Sequence, residues 1–172
     1  HTRYISVTGV QTCALPISED LLILIEPGRY WLGAGILCFP NRWRLTEKLG
    51  RPVLAIHDPV PDYTADIGAQ VDRSLERLRP DRVYVRTGWG LASAPTLFLP
   101  APIAPVTPGS GDYMLREEVQ TFRKLPETEA LVFSIRTRVR PWSSVPADRR
   151  AAITETLGEL SPAWKAYKSI RT

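Results

Sequence analysis

Histidine and cysteine are scarce in this 172-residue chain, which narrows the metal and redox chemistry that it can perform. Each type occurs twice, and His57 is the only histidine besides residue 1. The sequence holds no cysteine cluster for an iron–sulfur centre and no glycine-rich dinucleotide fingerprint. The longest wholly aliphatic run, residues 21–25, is far too short for a membrane span. A net charge of +4 is too mild to indicate nucleic acid or an anionic membrane as a partner.

The first 17 residues are expected to be foreign to the natural protein. Residues 7–17 read Val-Thr-Gly-Val-Gln-Thr-Cys-Ala-Leu-Pro-Ile and resemble the translation of a common sequencing-adapter oligonucleotide, so we exclude them from fold reasoning. Residues 18–172 then form a single domain that is truncated at the N-terminus and is expected to be truncated at the C-terminus. Without residues 1–17, Cys38 is the single cysteine, which excludes a disulfide framework and favours a reducing, cytoplasmic location. A small buried hydrophobe suits Cys38 better than a thiolate ligand does.

The apolar pattern predicts two strands, a helical insert and three further strands. The strands are predicted at residues 21–25, 30–37, 83–91, 114–125 and 131–139, and the helices at 42–49, 62–78, 146–160 and 162–168. Asn41 is predicted to cap the first helix and Asp62 the second. This order indicates an α+β class, a PAS-like five-stranded antiparallel sheet with helices on one face. PAS-like domains commonly hold a flat ligand between sheet and long helix, although the fold alone does not identify it.

Gly33 and Gly35 lie on the face of the second strand that carries Trp31, and they place no side chain on that face. Glycines within a strand allow another group to approach the sheet closely. The alternatives are a β-bulge or the packing of a nearby helix against the strand.

His57 follows the apolar residues 53–56 and precedes Asp58 and Pro59, so it stands at a break in regular structure. Its imidazole could act as an axial metal ligand, because it follows an apolar segment and precedes a conformationally rigid proline. It equally suits a core or loop histidine that donates to a carbonyl, and residue type alone favours this second interpretation.

Arg42, Trp43 and Arg44 place two guanidinium groups beside an indole. Guanidiniums bind carboxylates and phosphates in a forked geometry. The alternative is a solvated basic face with Trp43 in the core, and residue types alone favour that alternative.

Arg116, Glu118 and Gln120 alternate along the predicted fourth strand and therefore share one face. They form either the solvent side of an antiparallel sheet, which is the usual case, or the polar wall of a pocket. In both cases Arg136 is expected to pair with Glu118 across the sheet. On the third strand, alternation places Trp89 on the same face as four other residues, which are Val83, Val85, Thr87 and Leu91.

Several motifs stand in order along the chain. They are Cys-Phe-Pro-Asn-Arg-Trp-Arg-Leu (38–45), Glu-Lys-Leu-Gly-Arg-Pro (47–52), Ile-His-Asp-Pro-Val-Pro (56–61), Val-Asp-Arg (71–73), Arg86-x-x-Trp89, Leu97-Phe98-x-Pro100, Arg116-x-Glu118-x-Gln120-Thr121-Phe122-x-x-Leu125-Pro126 and Phe133-Ser-Ile-Arg-Thr137. Together they resemble the haem-dependent oxidative N-demethylase family, alpha-subunit type, over about residues 19–168. Gly88 stands where the family usually has Asn. Residues 117 and 119 are Glu and Val, which reverses the apolar and basic residue types expected at these two positions.

The resemblance implies a haem-binding PAS-like enzyme that removes a methyl group from a small methylated amine with dioxygen, releasing formaldehyde. His57 is then the expected axial ligand of a haem b iron, its other ring nitrogen donating to a carbonyl or carboxylate. The remaining expected cofactor contacts are Arg42, Trp43 and Arg44. The substrate pocket is expected to hold Trp89, Glu118 and Arg136, with Glu118 best suited to bind an alkylammonium.

The expected partners follow from the same resemblance. Because the chain lacks a cysteine cluster and a dinucleotide fingerprint, electrons from NAD(P)H are expected to arrive through flavin or iron–sulfur reductase subunits. A haem sensor module without turnover and a haem-free small-molecule-binding domain stay open as alternatives.

Overall fold

Five strands form one antiparallel sheet in the computed structural model, which describes residues 18–109 and 111–171. The strands are β1 Asp20–Ile25, β2 Trp31–Ile36, β3 Val83–Ala92, β4 Met114–Lys124 and β5 Leu131–Pro141. Their order across the sheet is β2-β1-β5-β4-β3, and all neighbours are antiparallel. The predicted α+β class with a PAS-like five-stranded sheet is confirmed. The prediction for residues 1–17 lies outside the described residues.

Three short or medium helices connect β2 to β3, and two more follow β5. They are α1 Leu45–Lys48, α2 Val53–Ile56, α3 Ala65–Glu76, α4 Ala147–Glu159 and α5 Pro162–Tyr167. The insert packs on the face of the sheet that carries Leu22, Gln120 and Ile135, which we call the inner face. There α2 and α3 contribute Val53 and Leu75 to the main buried cluster. Within the described ranges, no helix is long and apolar enough to cross a membrane.

The predicted placement of all helices on one face needs correction. Strand alternation puts Leu91 and Leu115 on the outer face, opposite the face of Gln120. These two residues pack with Ile153 and Leu157 of α4 in a second buried cluster. The sheet is therefore covered by the insert on its inner face and by α4 at one end of its outer face.

The predicted helix at residues 42–49 begins three residues late because of a tertiary contact. Asn41 forms an isolated bridge with Leu99, and the backbone N–H of Arg42 donates to the Leu99 carbonyl at 2.5 Å. Arg42 has a φ of +64°, which is incompatible with a helix. The predicted Asn41 cap is therefore wrong, since α1 starts at Leu45 with Arg44 at its N-cap position.

The predicted cap of the long helix is also wrong. Asp62 has a φ of +61°, and its carboxylate accepts a hydrogen bond from the Trp164 indole at 3.0 Å. The cap is Thr64, whose hydroxyl accepts from the Ile67 N–H at 3.4 Å. Threonine accepts from an orphan N–H as aspartate does, so residue type did not favour Asp62 over Thr64.

The two glycines of β2 are explained by the local geometry and packing of the sheet. The register passes from Ile23↔Ala34 to Leu24↔Leu32, so Gly33 is the extra residue of a β-bulge. At Gly35, a Cβ would lie 2.6 Å from Leu22 Cδ2 and 3.4 Å from Leu45 Cδ1 of α1. The bulge and the nearby helix, left open as alternatives, both occur.

Gly35→Ala is expected to destabilise the fold because its Cβ would also lie 3.1 Å from the Leu21 carbonyl oxygen. Overpacking of this kind costs about 1–3 kcal/mol, measurable as a lower urea midpoint. Gly158→Ala in α4 is the matched control, because nothing lies within 4 Å of its Cβ position. That control should raise stability by up to about 1 kcal/mol through helix propensity. A Gly35 variant as stable as the Gly158 variant would contradict this packing.

Candidate functional site

A cavity of about 600 Å³ lies between the inner face of the sheet and the helical insert. Its walls are mainly apolar, with Leu22 and Ile135 from the sheet, Leu75 from α3, and the stacked rings of Phe122 and Phe133. This volume is within the range of small-molecule sites, which combine apolar walls with a few placed polar groups.

His57 lies in the cavity wall immediately after α2. Its Nδ1 is 2.7 Å from the carbonyl oxygen of Val53, one helical turn earlier. A carbonyl only accepts, so Nδ1 carries the hydrogen and Nε2 of the neutral ring carries the lone pair. The Tyr63 ring stacks on the imidazole, with centroids 4.7 Å apart and planes at 19°. The imidazole thus donates to a carbonyl, as either interpretation required, and also faces a cavity.

Burial lowers the pKa of His57 below its usual 6.5, an effect that the hydrogen bond to Val53 opposes and that Lys48 and Arg86 reinforce. The ring is therefore neutral near pH 7. A neutral imidazole is the protonation state that coordinates a metal.

The lowered pKa predicts a loss of stability in mild acid. The unfolded chain takes up the proton at His57 more readily than the folded chain, so stability falls as pH drops below the usual value of 6.5. His57→Gln should flatten this part of the profile, measured by urea unfolding between about pH 7.5 and about pH 5.5. Equal acid sensitivity in the wild type and the variant would show that another group is responsible.

The polar row of β4 faces the cavity side of the sheet. Glu118 and Gln120 line the cavity, while Arg116 lies behind them with 2% of its surface exposed. The Arg116 guanidinium donates to three carbonyls, those of Phe39 at 2.6 Å, Leu97 at 3.0 Å and Pro40 at 3.4 Å. Of the two alternatives for this row, the pocket wall is the one observed, and Arg116 holds the wall together.

Three donors hold the Glu118 carboxylate. Its Oε1 accepts from Asn41 Nδ2 at 3.3 Å and from Arg116 Nε at 3.5 Å, and its Oε2 accepts from Gln120 Nε2 at 3.1 Å. The residue opposite on β3 is Gly88, where a Cβ would meet nothing within 4 Å. The carboxylate is therefore fixed in orientation, and its acceptor capacity suits a cationic N–H ligand.

The basic–aromatic segment Arg42-Trp43-Arg44 is divided between the cavity and the surface. Arg42 lines the cavity and donates from Nη1 to the Tyr167 carbonyl at 2.7 Å and the Ser169 hydroxyl at 3.1 Å. Trp43 lines the cavity and packs against the main buried cluster. Arg44 is exposed and is not part of the cavity wall.

Trp89 and Arg136 lie on the outer face, away from the cavity. In the register, Trp89 is opposite Glu117, and Arg136 is opposite Val119. Arg136 forms an ion pair with Glu19 at 2.5 Å, so the predicted pair between Arg136 and Glu118 is wrong. The physical reason is the period of two along each strand, which places Arg136 on the face opposite Glu118.

Arg86 and Tyr63 are among the polar residues of the cavity wall that were missed as site residues. Arg86 stands opposite Gln120 in the sheet, and its Nε donates to Gln120 Oε1 at 2.5 Å. Tyr63 precedes α3, and as an aromatic residue at the start of the predicted helix at 62–78 it had the character of a packing residue. Strand alternation put Arg86 and Trp89, three positions apart, on opposite faces of β3, but it did not show which of the two faces the cavity.

The sheet order, the helical insert and the cavity between them define a PAS-like domain with a candidate small-molecule site. A family model described as haem-dependent oxidative N-demethylase, alpha subunit-like, matches residues 6–172, and the chain belongs to that family. A search of curated proteins finds no match. The resemblance predicted from the motifs is confirmed. At the level of the family, the description indicates a haem-dependent oxidative enzyme with companion subunits.

Proposed function

We propose that this chain binds haem b in the cavity, where His57 would hold the iron. We further propose that it serves the oxidative N-demethylation of a small methylated amine, with dioxygen consumed and formaldehyde released. One observation carries the proposal. The Nδ1–H of His57 is committed to the Val53 carbonyl, which leaves the Nε2 lone pair on a ring that lines a cavity of about 600 Å³.

The residues present fit a haem. Its apolar macrocycle suits the walls built from Leu22, Leu75 and Ile135. Two cavity guanidiniums, those of Arg42 and Arg86, offer donors of the type that carboxylates prefer. Haem, when bound, supplies the dioxygen chemistry that protein side chains lack.

Several residues of the cavity wall then have a definite task. The Val53 carbonyl fixes the tautomer and orientation of His57 and increases the basicity of its ligating nitrogen. Glu118 accepts N–H bonds from the alkylammonium form of the amine and orients it. Phe122 and Phe133 exclude water from the apolar side of the cavity. Arg44, Trp89 and Arg136 have no part in this proposal, because they lie outside the cavity wall.

Electrons reach the site from outside the chain. We propose NAD(P)H as their source and flavin or iron–sulfur reductase subunits as the carriers, in the cytoplasm. The family description, which names an alpha subunit, supports the existence of companion subunits. No nucleic acid or membrane partner is proposed.

The test is formaldehyde release by haemin-loaded protein with dimethylamine, dioxygen, NADPH and a surrogate ferredoxin–reductase pair. The expected result is formaldehyde that depends on both the amine and dioxygen, with tert-butylamine, which carries no N-methyl group, as the inactive control. A haem absorption band without amine-dependent formaldehyde would replace the proposal by a sensor module. Protein that takes up no haemin would indicate a haem-free binding domain.

A further inference from the structure

A row of uncharged residues crosses all five strands on the outer face of the sheet, away from the cavity. Directly paired residues of antiparallel strands share a face, so one side chain from each strand contributes to it. In the order in which the register pairs them, these residues are Val85, Thr121, Ser134, Leu21 and Ile36, and we call them the outer row. Four strand spacings give the row a length of about 19 Å.

The outer row exposes large apolar side chains. Val85 is 61% exposed, Ile36 is 50% exposed and Leu21 is 40% exposed. Within the described part of the chain, none of the three belongs to either buried cluster. The α4 helix covers the other end of this face, at Leu91 and Leu115. A contiguous apolar strip of this kind marks an interaction site on a folded domain.

Arginines stand on both sides of the outer row. Arg136 pairs with Glu19 on this face, and its charge is therefore neutralised. Arg123 lies on one side of the row, opposite Val83. Arg138 lies on the other side, two positions beyond Arg136 on β5. Arg123 and Arg138 are exposed and form no ion pair with any described residue, so the face presents unneutralised positive charge beside an apolar strip.

Only the sheet separates the outer row from the cavity. Gln120 and Ile135 line the cavity, while their chain neighbours Thr121 and Ser134 belong to the outer row. A protein seated on the outer row thus lies one β-layer from the cavity and reaches this position without passing the helical insert. This placement suits a protein that delivers electrons to a group in the cavity.

We propose that the outer row and its flanking arginines form the docking surface for the companion subunit that delivers electrons, a protein with an acidic rim around an apolar patch. The partner's role rests on the proposed function, while the surface rests on the register, the exposure and the charges. Complementary charge steers such a partner onto the face and fixes its orientation. A second copy of this chain fits less well, because two-fold symmetry would bring the same arginines of both copies together.

Calorimetric titration with an acidic two-iron ferredoxin is the test. Arg138→Glu is expected to weaken binding of the ferredoxin about tenfold or more, and wild-type binding should weaken as salt is added. Val85→Ser removes apolar area from the outer row and should weaken binding about threefold, with the salt dependence kept. Arg73→Glu is the matched control, because Arg73 is exposed on α3 of the insert. It changes the net charge equally and should leave the affinity unchanged.

The rate of iron reduction gives a second readout in the haemin-loaded protein. Reduced ferredoxin loses one electron, the ferric iron gains it, and no bond forms or breaks. The second-order rate constant should fall about tenfold or more in Arg138→Glu and stay unchanged in Arg73→Glu. Dithionite, a small reductant that needs no docking surface, should reduce the iron of all these proteins at equal rates.

Equal ferredoxin affinity in Arg138→Glu and the wild type, or equal weakening in Arg138→Glu and Arg73→Glu, would overturn the inference. A wild-type dimer that Val85→Ser dissociates would assign the surface to a second copy and overturn it as well. Binding to phosphatidylserine vesicles that Arg138→Glu abolishes, with no binding of ferredoxin, would do the same.

The titration requires no haemin, which separates this inference from the proposed function. A protein that takes up no haemin would overturn the proposed function, while the ferredoxin affinities of the variants would still decide whether the outer row is the docking surface. Normal haemin uptake with ferredoxin affinities that ignore the outer row would overturn this inference alone.

Discussion

Replacement of Arg116 by leucine is expected to lower the free energy of unfolding by about 3–5 kcal/mol, the usual cost of breaking a buried charged network. The guanidinium is 2% exposed and donates to the carbonyls of Phe39, Pro40 and Leu97 and to Glu118. Leucine would remove the guanidinium donor from the Phe39 and Leu97 carbonyls, while Pro40 and Glu118 would each lose one of several donors. Since domains are stable by about 5–15 kcal/mol, a large part of the variant should be unfolded in mild urea.

Arg44→Leu is the control for the loss of a guanidinium as such. Arg44 is exposed, so its replacement should change stability by less than about 0.5 kcal/mol. Urea midpoints of the two variants provide the comparison. An Arg116→Leu protein as stable as Arg44→Leu would mean that segments 39–40 and 97 are held by other contacts.

Glu118→Gln is expected to weaken binding of a methylammonium ligand by roughly 10- to 150-fold, as for the loss of a charged hydrogen bond of about 1.5–3 kcal/mol. The substitution keeps the shape but removes the charge and half of the acceptor capacity. It also turns an amide N–H₂ toward donors such as Asn41 and Gln120. Calorimetric titration of haemin-loaded protein with dimethylamine measures the change.

Glu47→Gln separates a specific contact from a general effect of charge. Glu47 also lines the cavity, but it is exposed and lies in the first turn of α1. Its replacement should leave the amine affinity unchanged. Equal weakening in both variants would show that the overall potential of the cavity, rather than the Glu118 carboxylate, attracts the amine.

The strands were predictable from the sequence because alternation is a local signal. Alternation fixes which residues share a face, but not which face turns inward. On β3 the row that looks apolar, with Val83 and Val85, is largely exposed to solvent, and Arg86 points inward. Tertiary packing, set by the insert and α4, decides this orientation. The error at Trp89 has this origin.

The site was predictable where one residue stood out chemically. His57 is the sole internal histidine, and Glu118 stands in the polar row Arg116-x-Glu118-x-Gln120 on one face of its strand. Arg42 and Arg44 were not separable by residue type, because the Asn41–Leu99 bridge that turns Arg42 toward the cavity joins segments 58 residues apart. Tyr63 was missed because an aromatic residue at the start of an amphipathic helix is usually a packing residue, and only the folded structure places it in the cavity wall.

The visible spectrum of haemin-reconstituted protein, compared between the wild type and His57→Ala, tests the central claim most directly. The wild type should show the Soret band of histidine-ligated haem. In His57→Ala that band should be lost or shifted, and free imidazole should restore it by filling the vacated position. An identical spectrum in both proteins, unaffected by imidazole, would contradict the assignment of His57 to the iron.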